Sequence, residues 1–286
     1  QVEAHSSATD CWIVVKGRVY DATSWLDDHP GGAGAILAHA GSDVSDEFEL
    51  IHSSRAWGVL EKYYVGDVIG AVGSTDMNGG IDGDASDYYT LGVESGTKSV
   101  TKTALSRSVK RSFKLLEKKE LSHDVRLFRF GLPSPDHELG LPTGNHIFLH
   151  AEVEGEEETV VRPYTPTTNN NQLGYFDLVI KVYFANAHPR FPNGGLMSQH
   201  LNGIKIGDRI EVKGPFGHIE YQGRGAFQIA KQRTNAAHVG LICGGTGITP
   251  AYQMIQTALR DDSDETCFYL LLANQTEDDI LLRSDL

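Results

Sequence analysis

A stretch of unusual composition divides this chain and constrains its fold more than any other feature. Residues 71–108 contain 6 Gly, 6 Ser and 5 Thr among 38 positions, with no apolar periodicity. Such a stretch is typical of a linker, because it offers too little apolar surface to form a core. The 286 residues therefore predict separately folded parts on its two sides, with domains at 1–70, 109–222 and 223–286.

The composition of the whole chain indicates an ordinary globular protein. Hydrophobic residues make up 40% and charged residues 22%, which argues against global disorder. The net charge of −13 argues against nucleic-acid binding, because a phosphate backbone attracts basic surfaces. No apolar run approaches the roughly 20 residues of a membrane helix. The three cysteines include no CxxC pair, so we expect a cytoplasmic protein without a nucleic-acid or membrane partner.

Predicted helices and strands alternate differently on the two sides of the linker. Before it, two β-like runs precede short helices, which suggests a small α+β domain. After it, short strands recur with turn signals between them, which favours an antiparallel barrel or sandwich. From residue 238, a strand, a glycine-rich turn, a helix and a second strand predict the start of an α/β parallel sheet. The predicted barrel strands are 124–130, 146–153, 159–165, 176–184 and 209–213, and a short helix is predicted at 195–201.

Two histidines in the first segment are candidate metal ligands. His29 lies in a His-Pro-Gly-Gly turn before a predicted helix, and His52 follows another predicted helix 23 residues later. Two neutral imidazoles facing each other across an apolar slot would bind a haem iron from both sides. From spacing alone the alternative also stays open, namely capping or surface histidines in a chain that has 12 of them.

Residues 3–70 resemble the cytochrome b5 family along their whole length. The resemblance implies that His29 and His52 are the axial ligands of a haem b. With both axial positions filled, the iron would have no open position for a substrate, so the domain would carry one electron at a time. The motifs that carry the resemblance are Asp10-Cys11-Trp12, Val19-Tyr20-Asp21, Trp25, His29-Pro30-Gly31-Gly32, Gly41, Phe48, His52-Ser53 and Tyr64-Val65-Gly66-Asp67.

Two patterns in the second segment suit a flavin dinucleotide. Arg162 and Tyr164 share one face of a predicted strand, where an Arg fork suits a diphosphate and a Tyr can stack on a flat ring. A glycine pair opens the helix that begins Leu196-Met197-Ser198, and backbone N–H groups at a helix start attract phosphate. Taken singly, each pattern is equally typical of an ordinary strand or turn.

Together these patterns resemble the flavin domain of the ferredoxin–NADP reductase superfamily, in its cytochrome b5 reductase branch. That branch carries an RxYT/S motif on a barrel strand and a GGxMS motif at a helix start, and both hold FAD. Lys181 is expected to reach either the flavin or the nicotinamide nucleotide. The FAD-site residues implied by the resemblance are Arg162, Pro163, Tyr164, Thr165, Val179, Ile180, Lys181, Tyr183, Phe184, Phe191, Leu196, Met197 and Ser198.

A glycine-rich turn in the third segment suits a pyrophosphate, because it follows an apolar strand and opens a helix. As a pattern alone it is equally typical of a plain βα turn, whereas the reductase resemblance implies NAD(P)H binding. The Cys-Gly-Pro-Pro motif of those reductases does not occur in the sequence, and the chain starts at Gln1, so we expect a fragment with a truncated nucleotide lobe. The implied nucleotide-site residues are Gly244, Gly245, Thr246, Gly247 and Thr249, of which Thr249 would also touch the flavin.

Finer details resemble the eukaryotic assimilatory nitrate reductase family. Leu196 replaces the Lys that stand-alone cytochrome b5 reductases commonly carry in GGKMS, and residues 120–128, 195–201 and 217–221 look like that family. The resemblance implies electron transfer from NAD(P)H through FAD to haem b, and then to a molybdenum-cofactor domain that reduces nitrate to nitrite. That domain would lie outside this chain, and any homodimerisation is expected through domains outside it as well.

Two other functions stay open at this point. One is a fusion of cytochrome b5 with cytochrome b5 reductase that delivers electrons to other acceptors. The other is a haem- and flavin-binding carrier without hydride chemistry. The sequence identifies no catalytic side chain and does not distinguish NADH from NADPH.

Overall fold

The computed structural model describes residues 1–29, 32–68, 102–187, 189, 191–229 and 232–286. The chain divides into two compact units, residues 1–98 and residues 99–286. The predicted linker at 71–108 lies outside the described residues up to residue 101. Its last part belongs to the second unit, because Lys102–Thr103 pairs with His137–Glu138 and Ala104 is buried in the barrel core. The second unit therefore begins before residue 109.

The first unit is a small α+β domain. Its strands form one sheet in the order β1-β2-β3-β4, and the β2–β3 and β3–β4 pairs are antiparallel. Apolar side chains of β2 and β3 pack against the helices around Phe48 and Leu60. The elements are β1 Ser6–Ser7, β2 Asp10–Val15, β3 Arg18–Asp21, α1 Ala33–Leu37, α2 Ser45–Ile51, α3 Ser54–Leu60 and β4 Tyr64–Asp67.

The second unit begins with an antiparallel β-barrel. Its main sheet has the order β10-β9-β12-β6-β7-β11. Alternate residues of these strands point inward, so that Phe113, Phe128 and Phe176 meet in one core. The elements are β5 Lys102–Thr103, β6 Arg111–Glu120, β7 Val125–Gly131, β8 His137–Glu138, β9 His146–Ala151, β10 Val160–Tyr164, β11 Tyr175–Lys181, α4 Leu196–Gly203 and β12 Arg209–Phe216.

After the barrel strands, the chain forms a small antiparallel sheet and then a parallel pair of strands. The small sheet has the order β13-β14-β15, and β16 pairs in parallel with β17 through the crossover helix α5. This strand–helix–strand order is the start of the predicted α/β lobe. The elements are β13 Ile219–Gly223, β14 Ala226–Ile229, β15 Gln232–Asn235, β16 His238–Gly244, α5 Ile248–Leu259 and β17 Cys267–Ala273.

The parallel pair packs on the barrel through a shared apolar cluster. Val125 and Val179 of the barrel meet Ile248 of α5 and Leu281 of the segment after β17, and all four are buried. The helix start and the barrel strands are thus held in one position relative to each other. None of the helices in the described part of the chain is both long and apolar enough to cross a membrane.

Candidate haem, flavin and nucleotide sites

The two histidines predicted as axial ligands face each other in the first unit. Their ring centroids are 6.0 Å apart, and their planes are inclined by 41°. With a metal–imidazole bond of about 2 Å and about 1 Å from the nitrogen to the ring centre, two imidazoles on opposite sides of one metal ion lie about 6 Å apart. The separation of His29 and His52 therefore fits one iron atom between them.

Backbone carbonyl groups orient both imidazoles. His29 Nδ1 lies 3.1 Å from the Gly32 carbonyl oxygen, and His52 Nδ1 lies 3.2 Å from that of Phe48. Because a carbonyl only accepts hydrogen bonds, each Nδ1 carries the proton and each Nε2 carries the lone pair. A metal-binding histidine is held in the same way by its second nitrogen.

The surroundings of the two histidines suit a flat apolar group. Helix α1 consists of Ala, Gly, Ile and Leu, yet none of its residues is buried. The Phe48 ring stacks on His52 with centroids 4.0 Å apart, and Trp57 meets Phe48 edge-on. A porphyrin held between the histidines would cover apolar surface that the protein itself leaves accessible.

In the second unit, β10 presents the predicted arginine and tyrosine next to each other. Arg162 is exposed, and its guanidinium donates one hydrogen bond to the Val161 carbonyl oxygen at 2.7 Å. Tyr164 is partly buried against the barrel core, and burial raises the pKa of its hydroxyl. The tyrosine thus stays protonated as a hydrogen-bond donor, while the arginine presents positive charge at the surface.

The glycine pair brings the start of α4 against the chain that follows β11. A Cβ atom on Gly194, whose φ is +68°, would lie 2.3 Å from the Tyr183 carbonyl oxygen, and one on Gly195 would lie 2.7 Å from Ser198 Oγ. Tyr183 N–H donates to Ser198 Oγ at 3.1 Å, and Gly195 N–H donates to the Tyr183 carbonyl at 2.8 Å. Helix α4 also contacts β10, the strand that carries Arg162.

The predicted FAD residues divide into a surface group and a buried group. Tyr183, Phe184 and Phe191 are exposed aromatic side chains, at 54%, 37% and 56% of their full area. Such exposed rings suit a flat ligand. The side chains of Ile180 and Met197 belong to the barrel core, so contact with a cofactor at these two positions would involve the backbone.

The glycine-rich turn lies beside the same region of the barrel. Strand β16 ends at Gly244, the 3-10 turn Gly245–Gly247 follows, and α5 begins at Ile248. The turn contacts β11. The buried Thr249 hydroxyl donates to the Thr246 carbonyl at 3.1 Å. The N–H groups at the start of α5 thus lie close to the strand that leads to Tyr183, an arrangement suited to an anionic ligand.

One residue that links these sites was not predicted from the sequence. Gln253 of α5 is 2% exposed. Its Nε2 donates to the Pro166 carbonyl at 2.7 Å, and its Oε1 accepts from Gly144 N–H at 3.0 Å. Gln253 therefore ties the nucleotide-lobe helix to the chain that follows β10. A lone Gln in a predicted helix gives no sequence signal for such a role.

Three protein-family models match successive parts of the chain. Residues 1–69 match the cytochrome b5-like heme/steroid binding domain. Residues 112–221 match the oxidoreductase FAD-binding domain, and residues 241–286 match the oxidoreductase NAD-binding domain. The order agrees with the haem, flavin and nucleotide sites described above.

Curated relatives match the chain over its whole length. It is 48% identical over 288 residues to nitrate reductase [NADH] 1 of Zea mays, covering 100% of this chain and 46% of that protein. It is 48% identical over 286 residues to nitrate reductase [NAD(P)H] of Betula pendula, covering 100% of this chain and 32% of that protein. The chain thus spans less than half the length of both relatives.

A solved structure supports the same relationship for the second unit. The cytochrome b5 reductase domain of Ulva prolifera nitrate reductase is 47% identical, with a TM-score of 0.61, over 64% of this chain and 69% of that chain. The chain therefore belongs to the nitrate reductase family, whose cytochrome b5, FAD-binding and NAD-binding domains it carries in this order.

Proposed function

We propose that this chain passes electrons from NAD(P)H through FAD to a haem b held by His29 and His52. The observation that carries the proposal is the 6.0 Å separation of the two imidazole rings. Both rings are oriented by backbone carbonyls, so both Nε2 atoms suit axial ligation. A haem held by these two histidines would supply one-electron redox chemistry.

The barrel residues supply the matching flavin site in this proposal. FAD, when bound, accepts two electrons as hydride and releases them one at a time. Arg162 binds its diphosphate, Tyr164 and Tyr183 contact its flat ring system, and the start of α4 at Leu196 to Ser198 donates backbone N–H groups to phosphate.

The nucleotide turn completes the proposed site. Gly245 to Gly247 lets a pyrophosphate approach the start of α5, and Thr249 fixes the turn through the Thr246 carbonyl. Because the turn contacts β11, a nucleotide bound there lies next to the flavin residues. Gln253 contributes by holding α5 on the barrel.

Beyond these residues, we propose that the haem passes its electrons to a molybdenum-containing domain outside this chain, which reduces nitrate to nitrite in the cytoplasm. A homodimer would form through domains outside this chain. A fusion of cytochrome b5 with its reductase is the less favoured alternative, because relatives named nitrate reductase match the chain from end to end.

The ligand assignments are tested by the visible absorption spectrum of the purified chain supplied with haem and FAD. We expect a six-coordinate haem spectrum together with flavin absorption. His29→Ala and His52→Ala should each lose the six-coordinate haem but keep the flavin. The matched control is His5→Gln. It removes another histidine of the same unit, whose ring contacts Asp10 and Trp12. Retention of the six-coordinate spectrum in both alanine variants would refute the haem assignment.

The flavin assignment is tested in the same preparations. Arg162→Ala should release FAD on gel filtration and leave the haem spectrum unchanged. Arg111→Ala removes another exposed arginine, from β6, and should retain FAD. Full FAD retention in the Arg162 variant would contradict the proposed role of this side chain.

A further inference from the structure

A cluster of charged side chains lies where the barrel meets the segment after β17. Ligand-type atoms of His123, Asp124 and Asp279 all lie within 4.8 Å of one another. Lys181 Nζ lies 2.5 Å from Asp124 Oδ2, and His123 Nε2 lies 3.4 Å from the same oxygen. The cluster thus combines three side chains of the barrel with one from the nucleotide lobe.

The barrel carboxylate of this cluster has a fixed position. Asp124 is 8% exposed. Its carbonyl oxygen accepts from Val182 N–H at 2.6 Å, and its Oδ1 accepts from the Ser122 hydroxyl at 3.3 Å. The first interaction holds Asp124 against the end of β11, next to Lys181, and the second orients its carboxylate.

The lobe carboxylate is also held by its own segment. Asp279 Oδ2 accepts from Thr276 N–H at 3.0 Å and from the Thr276 hydroxyl at 2.7 Å, in a capping box. Two residues later Leu281 is buried against Val125 and Val179 of the barrel. The segment therefore brings a negative charge to the barrel surface at a defined place.

Two carboxylates this close repel each other unless a cation lies with them. Lys181 supplies that cation, since its Nζ lies 2.5 Å from Asp124 Oδ2 and the Asp279 carboxylate lies within 4.8 Å of Asp124. The pKa of Lys181 is raised by the hydrogen bond to Asp124 and by the charge of Asp279. The pKa of Asp279 is lowered, first by the Thr276 hydroxyl and further by Lys181. The charge of Lys181 thus interacts favourably with the carboxylates of both the barrel and the nucleotide lobe.

We propose that Lys181 is a bridging cation between Asp124 of the barrel and Asp279 of the nucleotide lobe. Asp124 and Asp279 are then positioning residues that keep residues 276–282 closed on the barrel. We call this arrangement the Lys181 bridge. Because Gly244 pairs with Ala273 at the ends of β16 and β17, closing the segment after β17 also holds the glycine-rich turn in place. Only this last consequence rests on the proposed function.

Native-state hydrogen exchange tests the bridge without any nucleotide. The amides of Asp279 and Ile280 donate to the Thr276 and Glu277 carbonyls, each at 3.2 Å, and report opening of the segment. Asp279→Asn keeps a side-chain oxygen that caps Thr276 but removes the charge. It should speed exchange of the Ile280 amide about tenfold, whereas Asp279→Glu should restore much of the protection.

Two further variants show whether the effect belongs to the bridge. Lys181→Met should speed exchange of the Ile280 amide at least as much as Asp279→Asn, and the two together should add little. Asp262→Asn removes the same charge from an exposed position of the lobe and should change nothing. Unaltered exchange in both Lys181→Met and Asp279→Asn would overturn the bridge.

A second measurement connects the bridge to the proposed function. Asp124→Asn should lower the rate of flavin reduction at saturating NADH about tenfold, because the nucleotide turn loses its alignment. FAD content should remain unchanged, and Asp124→Glu should recover part of the rate. If the unmodified chain shows no flavin reduction by NADH, the proposed function fails. Hydrogen exchange would still show whether the Lys181 bridge exists. A normal rate in Asp124→Asn would contradict its positioning role.

Discussion

The haem unit and the flavin barrel differ in how far their own side chains complete the core. Among the described residues, the barrel cluster contains 20 buried apolar side chains, whereas the haem unit cluster contains 6. Helix α1 of the haem unit is apolar but has no buried residue. We therefore expect a bound group to add more to the apolar interior of the haem unit than to the interior of the barrel, which would meet a cofactor at its surface.

The largest loss of stability is expected from a cavity in the barrel core. Phe128 is fully buried between strands of the main sheet. Phe128→Ala should cost about 4 kcal/mol of unfolding free energy, from lost burial and the cavity that remains. Chemical denaturation measures this loss, and the haem spectrum of the folded variant serves as the control. A cost below about 1 kcal/mol would mean that the barrel core is not closely packed.

Removing haem should instead weaken only the first unit. A ligand present at a thousandfold excess over its dissociation constant stabilises the folded state by about 4 kcal/mol. Calorimetry with and without haem should therefore shift the transition of the first unit and leave the barrel transition in place. His52→Ala should resemble the haem-free chain in both conditions. Equal transitions with and without haem would contradict the dependence of this unit on its ligand.

The stability of the barrel should depend on pH because its interior contains a buried histidine. His150 is 5% exposed, and burial, with a smaller effect of Lys110, lowers its pKa to about 4. The unfolded histidine titrates near its ordinary value, so the unfolded state binds more protons between about pH 6.5 and pH 4. Barrel stability should fall through this window by at most about 3 kcal/mol.

Denaturant titrations of the barrel at several pH values measure this effect. His150→Gln should abolish that part of the pH dependence because it removes the titrating group. The unmodified protein and the variant should behave alike above pH 7, apart from a constant offset. Parallel pH profiles over the whole range would show that His150 is not the responsible group.

The smallest expected effect concerns the cofactor surface of the barrel. A Cβ atom at Gly195 would lie 2.7 Å from Ser198 Oγ, so Gly195→Ala must displace this hydroxyl, which accepts a hydrogen bond from Tyr183 N–H. FAD affinity should fall about tenfold, or about 1.4 kcal/mol, with barrel stability little changed. Gly203→Ala at the far end of α4, where an added Cβ meets no atom within 4 Å, is the control. FAD affinities are measured by fluorescence titration. Equal affinities in the two variants would show that the start of α4 does not contribute to FAD binding.

Much of the fold could be predicted from runs of apolar residues and from the alternation of apolar and polar residues along the strands. The strands predicted at 146–153 and 209–213 are confirmed by β9 and β12. Strand β6 was not predicted, because its buried Phe113 and Leu115 lie among exposed charged residues. Strand β15 was also missed, since all its residues are exposed and give no apolar signal.

The end of β11 shows why sequence alone misplaces a boundary. The apolar pattern predicts a strand to Phe184, but the strand ends at Lys181. Tyr183 N–H instead donates to Ser198 Oγ, 15 positions along the chain. A contact with the start of a later helix thus replaces the strand ladder, and no local pattern encodes it.

Among the candidate site residues, those in local sequence motifs could be predicted, and those with distant partners could not. His29 and His52 could be predicted as metal ligands because each lies in a local motif, and the fold brings their ring centroids to 6.0 Å from each other. Their role as ligands stays a prediction. Gln253 and Asp124 act through partners that are distant in the sequence. Their roles depend on how the nucleotide lobe packs on the barrel, which is a tertiary property.

In the proposed electron path, one chain joins two-electron chemistry at the barrel to one-electron chemistry at the paired histidines. Anaerobic addition of NADH to the chain loaded with FAD and haem, followed by rapid-mixing absorption spectroscopy, tests it most directly. We predict that NADH reduces both the flavin and the haem, and that haem reduction requires bound FAD. His52→Ala should keep flavin bleaching by NADH and lose haem reduction. Haem reduction by NADH in a chain without FAD would contradict electron transfer through the flavin.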